Sequence, residues 1–182
     1  PAQINSKDWY HGSGTSGLSS ERLSPNSTSI EGLFGHGVYL TDNRDIAQGY
    51  ANARSRRTNT PTIYRAGVDI HNVLNLEKPM PEDAYSVFRN AAASIADRYD
   101  YPEILVDLEK AKSGNGENVY KALSSGISEI SQDLQIPKSE FVEDFQDLSG
   151  NLKNAGYDAY THIGGKRTGK DPHQVLVMLD PN

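Results

Sequence analysis

The feature that most constrains this chain is a long block, from about Pro81 to Leu148, with helical periodicity throughout and strand-like segments on both sides of it. Within the block Ala84, Val87, Phe88, Ala91, Ala92 and Ile95 recur at helical spacing, as do Val119, Leu123, Ile127, Ile130 and Leu134, and then Phe141, Val142, Phe145 and Leu148. Gly114-Asn115-Gly116 and Ile136-Pro137 interrupt the pattern and separate the helices. Upstream, Gly37-Val38-Tyr39-Leu40-Thr41 reads as a buried strand. Asp42 or Asn43 caps the helix that follows, where Ile46, Ala47, Tyr50 and Ala51 fall on one face. Thr62 to Ile70 reads as a further strand. Downstream, Tyr157 to Ile163 is strand-like, Gly164 to Asp171 is a glycine- and lysine-rich loop, and Gln174 to Leu179 is an apolar final strand. Strands at both ends with helices between them predict an α+β domain whose terminal strands share one sheet.

Bulk properties narrow the class. The 182 residues fit a single domain, 1–182, with a helical insertion at about 81–150, large enough to bury a core without disulfides or a structural metal. The absence of cysteine removes thiol nucleophiles, disulfides and cysteine-ligated metals. No stretch approaches the roughly 20 apolar residues of a membrane helix, so no membrane partner is expected. Pro1-Ala2-Gln3-Ile4-Asn5 has neither the basic patch nor the apolar core of a secretory signal and carries no initiator Met, which predicts a domain trimmed or cut from something longer. A formal net charge of −6 opposes strong non-specific binding to nucleic acid. Two basic clusters, Arg54 with Arg56 and Arg57, and Lys166 with Arg167 and Lys170, read as solvated charge or as local patches. The five histidines, His11, His36, His71, His162 and His173, show no local ligand spacing, although His162 and His173 can approach across the final strands; no metal is expected.

Three local patterns carry chemistry. Tyr10-His11-Gly12-Ser13 ends a strand in a glycine that lets a ligand approach the backbone; alone it is compatible with an ordinary turn. Leu33-Phe34-Gly35-His36-Gly37-Val38-Tyr39-Leu40-Thr41-Asp42, followed by Ala47-Gln48-Gly49-Tyr50-Ala51, sets two tyrosines eleven residues apart on a strand and the next helix, where they can flank a flat heterocycle or simply belong to the core. The ending, Gly156-Tyr157-Asp158 and then His173 to Asn182, says by itself only that a buried strand closes the domain.

In this order and at these spacings the patterns resemble the poly(ADP-ribose) polymerase and diphtheria-toxin branch of the ADP-ribosyltransferases, including the related domains of bacterial and phage toxins and effectors. The likeness covers the first fifty residues well and the last thirty moderately, and the helical middle adds nothing to it. It implies a split antiparallel β-sheet core with a helical insertion between strands, and a mono-ADP-ribosyltransferase that consumes NAD, releases nicotinamide and transfers ADP-ribose to a macromolecular acceptor, a protein or a nucleic acid. It also implies an immunity protein or a larger parent polypeptide as partner, and secretion or delivery into a target cell cytoplasm. By the same resemblance His11 matches the histidine that bonds the adenosine ribose, with Ser13 assisting. The Gly12 backbone matches the clamp for the nicotinamide carboxamide, and Tyr39 and Tyr50 match the rings that stack on nicotinamide. Ala47 stands where many members have a serine, which removes one carboxamide hydrogen bond.

Cleaving the nicotinamide bond develops positive charge on the ribose, which the family offsets with a glutamate near the start of the last strand. An ungapped alignment puts Val175 there, preceded by Gln174 and His173. Strand alternation gives His173 and Val175 one face and Gln174 the other. Either polar residue can hold a ribose hydroxyl, so both are catalytic candidates, and Asp171 is the nearest carboxylate in sequence. Polymer elongation, which relies on that glutamate, is not expected. Two other readings stand beside this one: a catalytically silent NAD-binding or interaction module of the same fold, and, ranked low, an RNA 2′-phosphotransferase using Arg54, Arg56 and Arg57 on phosphate.

Overall fold

The computed structural model describes residues 2–13, 38–55, 61–165 and 172–179, with the side chains of 54 and 55 outside that description. The chain is α+β and forms two compact units. The described residues up to Val73 and from Asp158 onward make the first unit, and Leu74–Tyr157 make the second.

The first unit opens with a single turn of helix, α1 (Ala2–Asn5), and strand β1 (Trp9–Ser13). Strand β2 (Val38–Thr41) leads into helix α2 (Arg44–Ser55), and β3 (Thr62–Ala66) follows. Strand β4 (Val73–Asn75) lies where the chain passes into the second unit; β5 (Ala159–Gly164) and β6 (His173–Met178) close the first. The sheet order is β3-β1-β2-β6-β5-β4, so strands from the two ends of the chain meet in one sheet, as the sequence predicts. Strand β1 runs antiparallel to β3 and β2, and β6 runs antiparallel to β2 and β5.

One face of this sheet builds a core from Trp9, Val38, Leu40, Ala159 and Leu176, which alternate along their strands and meet Ile4 and Ile70. Trp9 is fully buried, and its indole N–H donates to the Ile4 carbonyl at 2.9 Å, which ties α1 under the sheet. The strand expected from Thr62 to Ile70 stops at Ala66, opposite Trp9. Beyond it the Asn5 amide takes over the role of a strand partner for Ile70, donating to its carbonyl at 2.9 Å and accepting from its N–H at 2.7 Å. Asp158 fixes the next turn by accepting from the backbone N–H groups of His71 and Asn72.

The second unit is helical, as its periodicity predicts: α3 (Glu82–Tyr99), α4 (Glu103–Ala111), α5 (Gly116–Asp133), a 3-10 turn at Lys138–Phe141, and α6 (Val142–Asn154). Phe88 meets Tyr120 edge to face at 5.3 Å. Gly126 lets α5 approach Ile104 of α4 so closely that an added Cβ would lie 2.5 Å from Ile104 Cγ1. Asn115 caps α5, accepting from the Asn118 N–H. Leu134, expected in the α5 stripe, is instead 45% exposed, because the helix ends at Asp133 and Leu134 is its C-cap. Arg98 forks onto the Asp144 carboxylate through two hydrogen bonds of 3.0 and 2.8 Å, which raises the guanidinium pKa further. The Tyr157 hydroxyl donates to Asp83, and burial followed by that bond pushes its pKa up to about 12.

Candidate functional site

The candidate site lies in the first unit, around the end of β1. Strand β1 pairs with β3 at five successive positions, from Trp9↔Ala66 to Ser13↔Thr62, but with β2 only at Tyr10↔Thr41 among the described residues. The two strands are neighbours in the sheet. The His11 ring reaches the seam, with Nδ1 2.9 Å from the Tyr39 carbonyl oxygen. A carbonyl only accepts, so Nδ1 carries the hydrogen. His11 and Ser13 are both 8% exposed.

Gly12 faces the other way. A Cβ at this position would lie 2.0 Å from the Ala47 carbonyl oxygen and 2.8 Å from the Ala51 nitrogen, so the backbone of α2 occupies the space a side chain would need. The sequence predicts a glycine that lets a ligand reach the backbone; what approaches its Cα is helix α2. The reason is the α2 sequence: Ala47 and Ala51, both fully buried, present the smallest side chains on that face and let helix and strand touch backbone to backbone. Asn43 starts the helix, its Oδ1 accepting from the N–H groups of Asp45 and Ile46, as the capping expectation requires.

The structure thus brings Gly12 and Ala47 into contact and joins His11 to the Tyr39 backbone. Tyr39 is half-buried on β2. Tyr50 does not share the buried face expected of it: it is 53% exposed, one turn on from Ala47 but rotated away from the Ala47–Ala51 line that meets Gly12.

At the start of β6, Val175 pairs with Thr41 on one side and His162 on the other. Pair partners in a ladder share a face, so Thr41, Val175 and His162 form one row. His173 lies two residues from Val175 on the same face, 8% exposed, with its ring against Gly164: a Cβ there would sit 2.7 Å from Nε2. Gln174 points to the opposite face, as alternation predicts, and its amide is occupied. Lys7 Nζ donates to Oε1 at 2.9 Å, and Nε2 donates to Thr161 Oγ1 at 3.1 Å.

Asp42 is the residue that sequence reasoning did not bring here, having read it as a helix cap. Its Oδ1 accepts from the Gln174 backbone N–H at 3.0 Å, its own N–H donates to the Gln174 carbonyl, and its Oδ2 lies 3.5 Å from Lys7 Nζ. Only the β2–β6 register, which sets Thr41 opposite Val175, reveals that the next residue of β2 meets Gln174. An open depression rimmed by Lys7, Asp42, Arg44, His173 and Gln174 lies at this end of the sheet. Asp171, the other carboxylate considered, falls outside the described residues, as do His36, Arg56, Arg57, Lys166, Arg167, Lys170, Gly35 and Gly37; the Arg54 side chain does as well. Among the described residues no group of three or more His, Asp or Glu side chains is arranged to hold a metal ion. Compared with models of protein families, with curated proteins and with solved structures, the chain matches none.

Proposed function

We propose that this chain is a mono-ADP-ribosyltransferase of toxin or effector type, with an ADP-ribosyltransferase-like fold, which takes NAD and a macromolecular acceptor and releases nicotinamide. The observation that carries the reading is the meeting of separate sequence patterns at one seam: the His11 ring bonds the Tyr39 carbonyl, and Gly12 lies against Ala47. His-Gly-Ser, the strand tyrosine and the alanine three residues before the second tyrosine are the positions the resemblance assigns to the dinucleotide. Their convergence from three elements of the fold supports that assignment.

In the reaction the bond between ribose C1′ and the nicotinamide nitrogen breaks, its electron pair leaves with nicotinamide, and an acceptor nucleophile bonds to C1′ and gives up its proton. The Gly12 backbone holds the carboxamide, Tyr39 and Tyr50 flank the ring, and His11 with Ser13 receives the far ribose. Tyr50 is 53% exposed, so in this reading it covers the solvent side of the ring. His173, on the face of Val175, is the better placed of the two catalytic candidates, because Gln174 points to the opposite face of the strand. The test is incubation with NAD labelled in its adenylate half and a cell extract, following both label transfer and nicotinamide release. Transfer is expected; a chain that neither labels protein or nucleic acid nor releases nicotinamide refutes the proposal.

One observation favours a second reading, a silent NAD-binding module. Val175 leaves the row Thr41–Val175–His162 without a carboxylate to offset charge on the ribose. Calorimetry separates the readings when combined with turnover: NAD binding with no nicotinamide release supports silence.

A further inference from the structure

Each polar group of Gln174 has a partner. Its backbone N–H donates to Asp42 Oδ1 at 3.0 Å and its carbonyl accepts from the Asp42 N–H at 3.2 Å. In its side chain Oε1 accepts from Lys7 Nζ at 2.9 Å and Nε2 donates to Thr161 Oγ1 at 3.1 Å. Strand geometry explains the carboxylate. The β2–β6 ladder ends at Thr41↔Val175, because Asn43 already caps α2 and the chain turns away into the helix. One step beyond, the Asp42 N–H still serves β6 in the manner of a strand, but the acceptor for the Gln174 N–H is the Asp42 side chain in place of a backbone carbonyl. Lys7, ahead of β1, lies 3.5 Å from Asp42 Oδ2 and offsets the charge of that acceptor.

The N–H that Asp42 holds belongs to the peptide joining His173 to Gln174. That peptide is planar, so fixing its N–H fixes the plane that contains the His173 Cα. The His173 ring stands on the Val175 face and the Gln174 side chain on the other, so this clasp acts on His173 through the backbone. The Lys7 and Asp42 side chains are 42% and 27% exposed, so their pairing contributes little to global stability and its loss is felt locally. We propose that Asp42, supported by Lys7, is a positioning residue: it sets the His173–Gln174 peptide at the start of β6, and with it the direction of the His173 ring. The inference rests on the transferase reading above, in which His173 is a catalytic candidate. It gives a role in that reaction to a carboxylate that the sequence presents only as a helix cap and to a lysine that belongs to no motif.

The test compares the wild-type chain with Asp42→Ala, Asp42→Asn and Lys7→Met in nicotinamide release from NAD, in deuterium exchange at the β6 amides and in urea unfolding followed through Trp9, which is fully buried. Asp42→Ala removes the acceptor and should lower kcat by about 10- to 100-fold, the scale of a misplaced catalytic group, with the KM for NAD within about twofold of wild type. Asp42→Asn keeps an oxygen for the Gln174 N–H and should recover most of kcat, and Lys7→Met should fall between the two. The Gln174 amide should exchange at least about tenfold faster in Asp42→Ala, while the Leu176 amide, deeper in β6, and the urea midpoint should stay as in wild type. Unaltered kcat or unaltered Gln174 exchange in Asp42→Ala, in a chain whose wild type releases nicotinamide, overturns the inference and leaves the transferase reading standing. An equal loss of kcat in Asp42→Ala and Asp42→Asn also overturns it, because that is the mark of a charge effect, as does a loss matched by a fall in the urea midpoint, the mark of general damage. A wild-type chain that releases no nicotinamide overturns the transferase reading and the inference together.

Discussion

Replacing Gly12 by alanine tests the packing that brings the candidate site together. The new Cβ would lie 2.0 Å from the Ala47 carbonyl oxygen and 2.8 Å from the Ala51 nitrogen. Cβ contacts below 3.0 Å essentially never occur, so α2 must retreat from β1 by at least about 1 Å. Both obstructing atoms are backbone, and no rotamer change relieves them. Overpacking of a filled core typically costs about 1–3 kcal/mol, and a clash that moves a whole helix belongs at the upper end, about 3 kcal/mol. Gly49, on the same helix, is the control: an alanine there has nothing within 4 Å, and gains roughly 0.5–1 kcal/mol of helix propensity. Trp9 is the one tryptophan of the chain and is fully buried in the first unit, so its fluorescence during urea unfolding reports on that unit without interference from the helical one. Gly12→Ala should lower the stability read from this probe by about 3 kcal/mol, and Gly49→Ala should raise it slightly. If Gly12→Ala unfolds at the wild-type urea concentration, α2 does not rest on β1 backbone to backbone, and the contact that carries the functional proposal is gone.

Two other outcomes follow from the same geometry. Val175→Glu restores a carboxylate between Thr41 and His162; on the transferase reading it should raise nicotinamide release by at least about tenfold, since one well-placed electrostatic contact can contribute several kcal/mol to a transition state. Unchanged turnover with NAD binding intact would refute the alignment of Val175 with the missing glutamate. In the helical unit, burial and hydrogen bonds to Glu109 and Asp83 push the Tyr85 and Tyr157 hydroxyls from 10.0 up to about 12. The folded chain therefore holds these protons more tightly than the unfolded chain, and their contribution to stability is complete below pH 10 and is lost as pH rises toward 12. The helical unit should lose urea resistance across that window in the wild-type chain, and a Tyr85→Phe, Tyr157→Phe double variant should lose less; equal losses would show that neither phenol is held as described.

Periodicity was a good guide wherever one face of an element meets one partner. The stripes of α3, α5 and α6 appear as buried residues, with Phe88, Ile130 and Phe145 among them, because a helix packed on one side repeats its demand for apolar groups every turn. The same rule misled at Tyr50 and Leu134, which keep the spacing but sit at the margin of a face or past the end of a helix. Strand β3 was overextended because Gly67 to Ile70 has strand composition, while the actual partner of Ile70 is a side chain, Asn5. Strand β4 was missed; three residues are too few to show alternation.

From the order of residues alone came the α+β class, the meeting of the terminal strands and a cap at Asp42 or Asn43, because these depend on local patterns, while the group His11, Gly12, Ser13, Tyr39, Ala47, Tyr50 came from the resemblance of its motifs to a known family. Tertiary structure decided which atoms meet. That α2 rather than open space lies on Gly12, that Asp42 and Lys7 bind Gln174, and that Tyr64 stands beside His11 all follow from strand register. Register is a property of pairs of distant segments, since shifting either strand by one residue would turn every one of these side chains to the other face, and no single segment carries that information.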